Sequence, residues 1–261
     1  MDSNLRTTFN NNAELYHAVR PRYPRELFDA LIETAQLPDN ARLLEIGPGT
    51  GQATKPLAER GYVITAVELG PDLTKVVREA LKEYNNVQVI TGAFEDIELP
   101  PELFDLVYAA TALHWIKPEI KFTKPHELLK SNGCLAVIGT NHVSDEAGDD
   151  FFFASRPIYK KYKPVGSYDD NFRLSRTADL KPEKIDENLF TQIFFDTFPL
   201  AIRYSAKGYA RLLSTYSSIN SFEPDKRAGF LKNISKLIEE KFDGSFVRHF
   251  GMTLTIGKKR G

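Results

Sequence analysis

Short apolar runs alternate with longer amphipathic stretches through the first half of the chain. The runs are rich in β-branched residues and almost continuously apolar, as expected of parallel strands covered on both faces. Five of them predict strands: Arg42–Ile46, Val63–Val67, Val87–Thr91, Asp105–Ala109 and Cys134–Thr140. Apolar residues at helical spacing predict three helices between them: Ala53–Arg60, Pro71–Tyr84 and Pro118–Lys130. This alternation indicates a doubly wound α/β sheet.

Both flanks extend this pattern. Before the first strand, a helix is predicted at Pro24–Ala35, opened by its proline, and a shorter one at Ala13–Val19. In the second half two strands are predicted at Thr191–Tyr204 and Phe246–Ile256, and two helices at Tyr209–Thr215 and Lys226–Phe242. The two late strands would complete a seven-stranded, mostly parallel sheet, and analogy makes the last one antiparallel.

Residues 141–190 break the alternation. They are rich in aromatic and charged residues, hold no clear strand and are too long for a simple loop. We predict a mostly helical insertion over the working edge of the sheet. The chain then divides into a helical cap at 1–40, an α/β core at 41–140, the insertion at 141–190 and the C-terminal part of the sheet at 191–261.

Composition narrows the kind of partner. The 261 residues are 42% hydrophobic and 26% charged, which is ordinary for a globular protein. A net charge of −1 favours neither nucleic acid nor an anionic membrane as partner. No apolar run reaches transmembrane length and no signal peptide is evident, so a cytoplasmic location is predicted. The lone Cys134 excludes an intrachain disulfide, and no histidine has metal-ligand spacing.

The first strand runs into a glycine-rich turn. Gly47, Gly49 and Gly51 stand at alternate positions, so the backbone N–H groups can approach a ligand closely. The next strand ends in an acid, Glu68, whose carboxylate can accept from both hydroxyls of a ribose. Together they predict a nucleoside-containing cofactor at the carboxyl ends of the strands. A dinucleotide site would need its third glycine at Gln52, which counts against NAD and FAD.

Five ordered motifs carry a family resemblance: E-I-G-P-G-T-G at 45–51, V-E-L-G-P-D-L at 67–73, T-G-A-F-E-D at 91–96, F-D-L-V-Y-A-A-T-A-L-H-W-I at 104–116 and L-L-K-S-N-G-C-L-A-V-I at 128–138. With the lead-in A-E-L-Y-H-A-V-R-P-R-Y-P at 13–24, the chain resembles class I S-adenosylmethionine-dependent methyltransferases of the type 11 group, in particular those that methylate small molecules. The resemblance implies a Rossmann-like methyltransferase fold, S-adenosyl-L-methionine as cofactor, and methyl transfer to a small-molecule acceptor of unknown identity.

The resemblance also implies roles for individual residues. The backbone at the turn would pass beneath the methionine and ribose, Glu45 would hold the amino group, and Glu68 the ribose. The other implied cofactor-binding residues are Tyr16, Gly47, Gly49, Thr50, Gly51, Leu69, Ala93, Phe94, Glu95 and Ala110. Asp96 is an alternative to Glu95 for the adenine amine. Gly92 stands where the family commonly has an acid, which leaves the adenine acceptor open.

Candidate catalytic groups surround the expected methyl position. His114, with Trp115, follows the fourth strand and is the candidate catalytic residue, against an alternative role in shaping the site. Two interpretations stay open for Tyr16, Arg20 and Tyr23. They would fold over the cofactor and exclude water, or they would belong to a helix packed on the sheet edge. Arg20 and Arg22 would suit a carboxylate acceptor. His142, after the fifth strand, is a weaker candidate than His114 for a role near the methyl group.

Three other functions stay open at this stage. A related transfer of an aminopropyl group would use the same fold, but the acidic pair expected for a polyamine acceptor is not evident. A non-catalytic cofactor-binding regulator or scaffold is the second alternative. A nicotinamide enzyme is the third, disfavoured by Gln52.

Overall fold

A computed structural model describes residues 13–144, 150–164 and 173–261. Its strands are β1 (Arg42–Ile46), β2 (Val63–Glu68), β3 (Val87–Thr91), β4 (Phe104–Ala110), β5 (Leu129–His142), β6 (Phe190–Ser205) and β7 (Ser245–Lys259). Its α-helices are α1 (Ala13–Val19), α2 (Arg25–Ala35), α3 (Thr54–Ala58), α4 (Pro71–Ala80), α5 (Thr123–Leu128), α6 (Asp150–Tyr162), α7 (Ala206–Leu213), α8 (Ser217–Asn220) and α9 (Pro224–Lys241). Short 3-10 turns lie at Leu113–Trp115 and Thr177–Asp179.

The strands form one mixed sheet in the order β3-β2-β1-β4-β5-β7-β6. The first five pair in parallel, with Leu43 of β1 opposite both Ile64 of β2 and Leu106 of β4. The chain first winds outward from β1 to β3 and then returns to β4 on the other side of β1. This reversal is the switch point at which open α/β sheets bind ligands, beyond the carboxyl ends of the strands. The predicted fold class is confirmed.

The central strands are apolar because both of their faces are covered. Leu44 and Ile46 of β1 pack in one core cluster with Val107 of β4 and Leu135 of β5, and all four are buried. Burying each such side chain stabilises the fold by about 1.5–3 kcal/mol. The strands that carry the site residues are therefore held rigidly.

The chain forms two compact units, each drawn from several stretches. Unit 1 takes the residues up to Arg20 together with His142–Leu180 and Pro199–Gly251. Unit 2 takes Pro21–Asn141, Lys181–Phe198 and Met252–Gly261. Thus β5, β6 and β7 contribute residues to both units, and α2 belongs with the sheet strands β1 to β4.

Unit 1 has its own aromatic core. Phe151 of α6 stacks on Phe246 of β7 with ring centroids 3.9 Å apart, and Tyr209 of α7 meets both rings edge-on. Such arrangements add about 0.5–1.5 kcal/mol per pair beyond the area buried. These three buried aromatic residues form part of the core of this unit.

Several predicted elements differ in extent from the structure. The helix predicted at Pro118–Lys130 is confined to α5, because Leu129 already pairs with Phe104 of β4 and the chain continues as β5. In the predicted insertion, α6 is helical and Thr177–Asp179 makes one 3-10 turn, while the other described residues there are not helical. Residues 145–149 and 165–172 lie outside the described ranges.

Candidate functional site

The glycine turn between β1 and α3 has the backbone conformation that the sequence predicts. Gly47, Gly49 and Gly51 have φ angles of 66°, 59° and 89°, which side chains with a Cβ rarely adopt. A Cβ on Gly47 would lie 2.7 Å from the Cβ of Ala112, so this position has no room for any side chain. The Gly47 N–H donates to the carbonyl oxygen of Val67 at 2.9 Å and ties the turn to β2.

Glu68, at the end of β2, closes this turn. Its Oε2 accepts from the N–H of Gly49 at 2.9 Å, and its Oε1 accepts from the N–H of Gly70 at 2.8 Å. The sequence predicted the acid beside the turn, but not that it would hold the turn's backbone. These two hydrogen bonds order the turn.

Glu45 is fully buried on β1, two residues before the turn. Its Oε2 accepts from the hydroxyl of Tyr108 at 2.8 Å and from that of Thr54 at 2.6 Å. Its Oε1 has no hydrogen-bond partner within the described residues. Burial raises the pKa of Glu45 to about 7, against the opposing effect of the two hydroxyl donors, and the charge of Glu68 raises it further. Oε2 of Glu45 is therefore hydrogen-bonded, whereas Oε1 can accept a hydrogen bond from a cationic ligand.

Tyr108 and Thr54 are site residues that sequence reasoning missed. Tyr108 stands directly opposite Glu45 in the β1–β4 register, which directs both side chains to the same face of the sheet. A tyrosine in the middle of a largely apolar strand is the only signal that the sequence offers for it. Thr54 carries no such signal.

The segment after β3, predicted to lie beside the adenine, is organised by Lys124. The Lys124 ammonium donates to the carbonyl oxygens of Phe94, Glu95 and Ile97 at 2.7, 3.0 and 2.7 Å. The side chain of Phe94 is 2% exposed and belongs to the core cluster, which favours the structural interpretation of its ring. Ala93 and Glu95 are half-buried, as is Leu69 after β2. Lys124 is a second residue that the sequence did not reveal.

The end of β4 is strained. Thr111, which follows Ala110, has a φ of 56°, an outlier for a β-branched residue that costs about 1–3 kcal/mol. Its Oγ1 lies 3.2 Å from the hydroxyl of Tyr23 and 3.2 Å from that of Thr140. The surrounding hydrogen bonds hold Thr111 in this conformation, which is common at ligand sites.

His114 lies in the 3-10 turn after β4, with its ring 4.8 Å from that of Trp115. The side chain is exposed and makes no hydrogen bond within the described residues. Partial desolvation lowers its pKa; the charge of Glu183 opposes this effect and that of Lys121 adds to it. Its neutral form is therefore favoured near pH 7, but no partner fixes its tautomer.

Tyr16 and Arg20 belong to unit 1, whereas the other predicted cofactor residues belong to unit 2. Arg20 stacks between the rings of Tyr16 and Tyr216, 4.5 Å from each centroid. The geometry described above therefore joins the glycine turn, Glu45 and Glu68 in one unit, and leaves the role predicted for Tyr16 as a prediction.

Comparison with known proteins agrees with this geometry. The profile described as a methyltransferase domain matches residues 44–137, which span the glycine turn, Glu68 and β4. An uncharacterized methyltransferase of Mycobacterium bovis is 32% identical over 131 residues, 50% of this chain and 51% of that protein. Over this stretch the chain is similar to methyltransferases. It spans about half the length of the mycobacterial relative that it matches.

Two further matches cover most of this chain. An uncharacterized methyltransferase of Schizosaccharomyces pombe is 25% identical over 234 residues, 89% of this chain and 87% of that protein. The structure of a protein described as a type II methyltransferase, from Anaeromyxobacter dehalogenans, has a TM-score of 0.65 at 20% identity, with 92% of this chain and 97% of that chain covered. This likeness shows the shared fold.

A shorter match bears on the acceptor. An rRNA adenine N-6-methyltransferase of Saccharopolyspora erythraea is 39% identical over 85 residues, which are 33% of this chain and 22% of that protein. Similarity to methyltransferases therefore leaves the acceptor class open.

The described residues were compared with the requirements of a membrane-spanning helix and of a metal site. No helix there is long and apolar enough to cross a membrane. Within the same residues, no three histidine, cysteine or acidic side chains are grouped as metal ligands.

Proposed function

We propose that this protein is a methyltransferase that uses S-adenosyl-L-methionine to methylate a small molecule. The observation that carries the proposal is the buried Oε1 of Glu45, an acceptor without a partner in the described residues, on the strand that enters the glycine turn. A buried polar atom of this kind is costly unless a ligand or water satisfies it. The predicted cytoplasmic location stays a prediction.

The residues present fit this cofactor. Glu45 offers its free oxygen to the ammonium of the methionine, directly or through water. The absence of a Cβ at Gly47 lets the backbone approach a ligand, and Glu68 offers its carboxylate to the ribose hydroxyls. The remaining contacts of unit 2 are assigned as the family resemblance implies: Gly49, Thr50, Gly51, Leu69, Ala93, Phe94, Glu95 and Ala110. The role of Tyr16, which belongs to unit 1, stays a prediction.

The main contribution of this chain to catalysis is to align the acceptor with the methyl group of the cofactor. The bound sulfonium supplies an electrophilic methyl group, so positioning the acceptor in line with it provides most of the acceleration. A nitrogen or sulfur acceptor needs little help from a base, whereas a hydroxyl needs one. His114 is the proposed base for a hydroxyl. If it serves, His114→Gln lowers kcat and leaves the affinity for S-adenosylhomocysteine unchanged; normal turnover would remove this role.

Binding of the product S-adenosylhomocysteine tests the cofactor assignment. We expect calorimetry to detect its binding and to detect none for NAD. Glu68→Ala should weaken binding by about 1–3 kcal/mol, because ribose and backbone donors lose their acceptor. Asp72→Ala, which removes an exposed carboxylate of α4, is the matched control and should leave binding unchanged. Wild-type protein that binds neither compound would overturn the assignment.

Transfer itself is tested with S-adenosylmethionine labelled on the methyl group. The protein is incubated separately with a metabolite extract and with total RNA, and label is expected in the metabolite arm. The net charge of −1 supports this choice, because RNA binding relies on cationic surfaces. Label in RNA would replace the small-molecule acceptor by a nucleic acid, and cofactor binding without label in either arm would favour a non-catalytic binding protein.

A further inference from the structure

Lys124, at the start of α5, holds the stretch Ala93–Ile97, which we call the post-β3 segment. Lys124 is half-buried, and its ammonium donates to the carbonyl oxygens of Phe94, Glu95 and Ile97 at 2.7, 3.0 and 2.7 Å. It also lies 5.0 Å from the centroid of the Phe94 ring. An ammonium has three N–H donors, so all of them are used on one short stretch of backbone. Lys124 therefore acts on the backbone of the post-β3 segment.

These hydrogen bonds determine how the peptide units of the segment are turned. In a trans peptide unit the C=O and the following N–H point in opposite directions, and no peptide bond of the described residues is cis. The N–H groups of Glu95 and Asp96 are therefore directed away from the ammonium. The N–H groups of Asp96 and Ile97 donate to the Ala93 carbonyl oxygen at 2.9 and 3.2 Å and close a turn. Without Lys124, three carbonyl oxygens of this turn would lose their common donor.

The post-β3 segment begins directly beside Glu68. Thr91, the last residue of β3, is opposite Glu68 in the β2–β3 register, and the N–H of Gly92 donates to the Glu68 carbonyl oxygen at 2.8 Å. These residues and Lys124 all belong to unit 2. The proposed ribose contact and the post-β3 segment thus lie at the ends of neighbouring strands, which are about 4.8 Å apart in a sheet.

The strand order decides which part of the cofactor meets this segment. β1 carries Glu45, the proposed contact of the methionine ammonium, and β2 carries Glu68, the proposed contact of the ribose. β3 is the next strand in the same direction. In S-adenosylmethionine the ribose joins the sulfonium arm to the adenine. A cofactor that follows the strand ends from β1 to β2 therefore brings its adenine to the end of β3.

We propose that Lys124 is a positioning residue for adenine recognition, because it fixes the post-β3 segment in the conformation that distinguishes adenine from other purine bases. The inference rests on the proposed function and adds to it a determinant of cofactor selectivity. Gly92 has no side chain, so recognition at this strand end falls to the hydrogen-bonding groups of the segment that follows it. Lys124 acts through the backbone that it holds and need not touch the cofactor.

Selectivity for the base tests this role. S-inosylhomocysteine keeps the ribose and homocysteine of S-adenosylhomocysteine, but its base has a carbonyl oxygen and a ring N–H where adenine has an amino group and a ring-nitrogen lone pair. Calorimetry gives the dissociation constant of each compound. The wild-type protein should bind S-adenosylhomocysteine about ten-fold more tightly or better, because the inosine base leaves hydrogen-bonding groups unpaired. Equal affinity of the wild-type protein for the two compounds would overturn the inference.

Lys124→Met removes the ammonium and keeps an unbranched side chain. The ratio of the two dissociation constants should fall about three-fold or more, because the segment no longer has one fixed conformation. Lys121→Met is the matched control, since Lys121 lies three residues earlier and donates to the Glu183 carboxylate at 3.0 Å instead. Equal ratios in the two variants would overturn the inference. Equal weakening of both compounds by Lys124→Met would show a merely structural role and would also contradict it.

Hydrogen exchange of the ligand-free protein measures the ordering of the segment. In Lys124→Met, peptides that contain residues 93–97 should exchange several-fold faster than in the wild type, whereas peptides that contain the glycine turn at 47–51 should keep their wild-type rates. Unchanged exchange at 93–97 would contradict the inference. Equally faster exchange at both places would show general destabilisation and would contradict it as well.

Lys124→Arg keeps the positive charge but changes the geometry of the donors. The planar guanidinium cannot direct its N–H groups to three converging carbonyl oxygens as an ammonium does, so the selectivity ratio should lie between those of wild type and Lys124→Met. If Lys124→Met does not fold, Lys124→Arg decides alone, and a wild-type ratio would overturn the inference. Failure of the wild-type protein to bind either compound would instead overturn the proposed function, so the two failures are distinguishable.

Discussion

Glu45 shows how one carboxyl group can serve both as a core residue and as a ligand contact. One of its oxygens is satisfied by Tyr108 and Thr54, and the other has no partner in the described residues. Desolvation favours its protonated form, whereas a bound ammonium would favour the ionised form. Its protonation is therefore linked both to folding and to cofactor binding.

Stability should depend on pH through this residue. The pKa of Glu45 rises from 4.5 to about 7 on folding, so between these values the folded protein binds more protons than the unfolded chain. The contribution of Glu45 to the free energy of unfolding therefore falls by about 3 kcal/mol as pH rises from 4.5 to 7. Urea unfolding of wild type and Glu45→Gln from pH 5 to 8 measures it as their difference. Parallel pH curves for the two proteins would contradict the prediction.

Cofactor affinity should follow the same ionisation with the opposite sign. If the ammonium binds ionised Glu45, S-adenosylhomocysteine should bind about ten-fold more tightly at pH 8 than at pH 6, and binding at pH 6 should release a proton. Calorimetry in buffers of different ionisation enthalpy measures both quantities. Glu45→Gln serves as the control, because it should bind more weakly and with little dependence on pH. A wild-type affinity that is flat across this range would disprove the coupling.

At the scale of elements, the turn between β1 and α3 is built by three neighbours at once. Val67 accepts the Gly47 N–H, Glu68 accepts the Gly49 N–H, and Ala112 closes the space beside Gly47. The turn thus joins the ends of β1 and β2 to the segment that follows β4. Its shape depends on strand register as well as on its own glycines.

Gly47→Ala and Gly61→Ala separate these two requirements. Both positions have positive φ, but a Cβ on Gly61 would meet nothing within 4 Å, whereas on Gly47 it would meet Ala112 at 2.7 Å. Gly61→Ala should cost about 1–2 kcal/mol of stability and leave S-adenosylhomocysteine binding intact. Gly47→Ala should cost more and should abolish binding. Urea unfolding and calorimetry measure these effects, and equal losses at both positions would show that steric closure at Gly47 is unimportant.

At the scale of the whole molecule, local patterns were predictable and distant pairings were not. The strands, the glycine turn and Glu68 could be read because each depends on residues close in sequence. The contact of Tyr108 with Glu45 spans 63 residues and depends on strand register. The end of α5 was misplaced because pairing of Leu129 with β4 outweighs local helical spacing. The roles of individual site residues stay predictions.

The division into two units follows the same principle. Unit 1 gathers three separate stretches of the chain, so the contacts within it have no local motif. The family profile, which covers residues 44–137, lies within unit 2. We therefore expect the cofactor chemistry of unit 2 to be shared with relatives.

The hydroxyls of Tyr23 and Thr140 have a consequence for the backbone at Thr111. Each of their two links to Thr111 can form with either oxygen as donor. Thr111 can thus donate to one neighbour while it accepts from the other, in either direction, by rotation of its own hydroxyl. The strained position is therefore anchored from two sides whichever way its hydrogen turns.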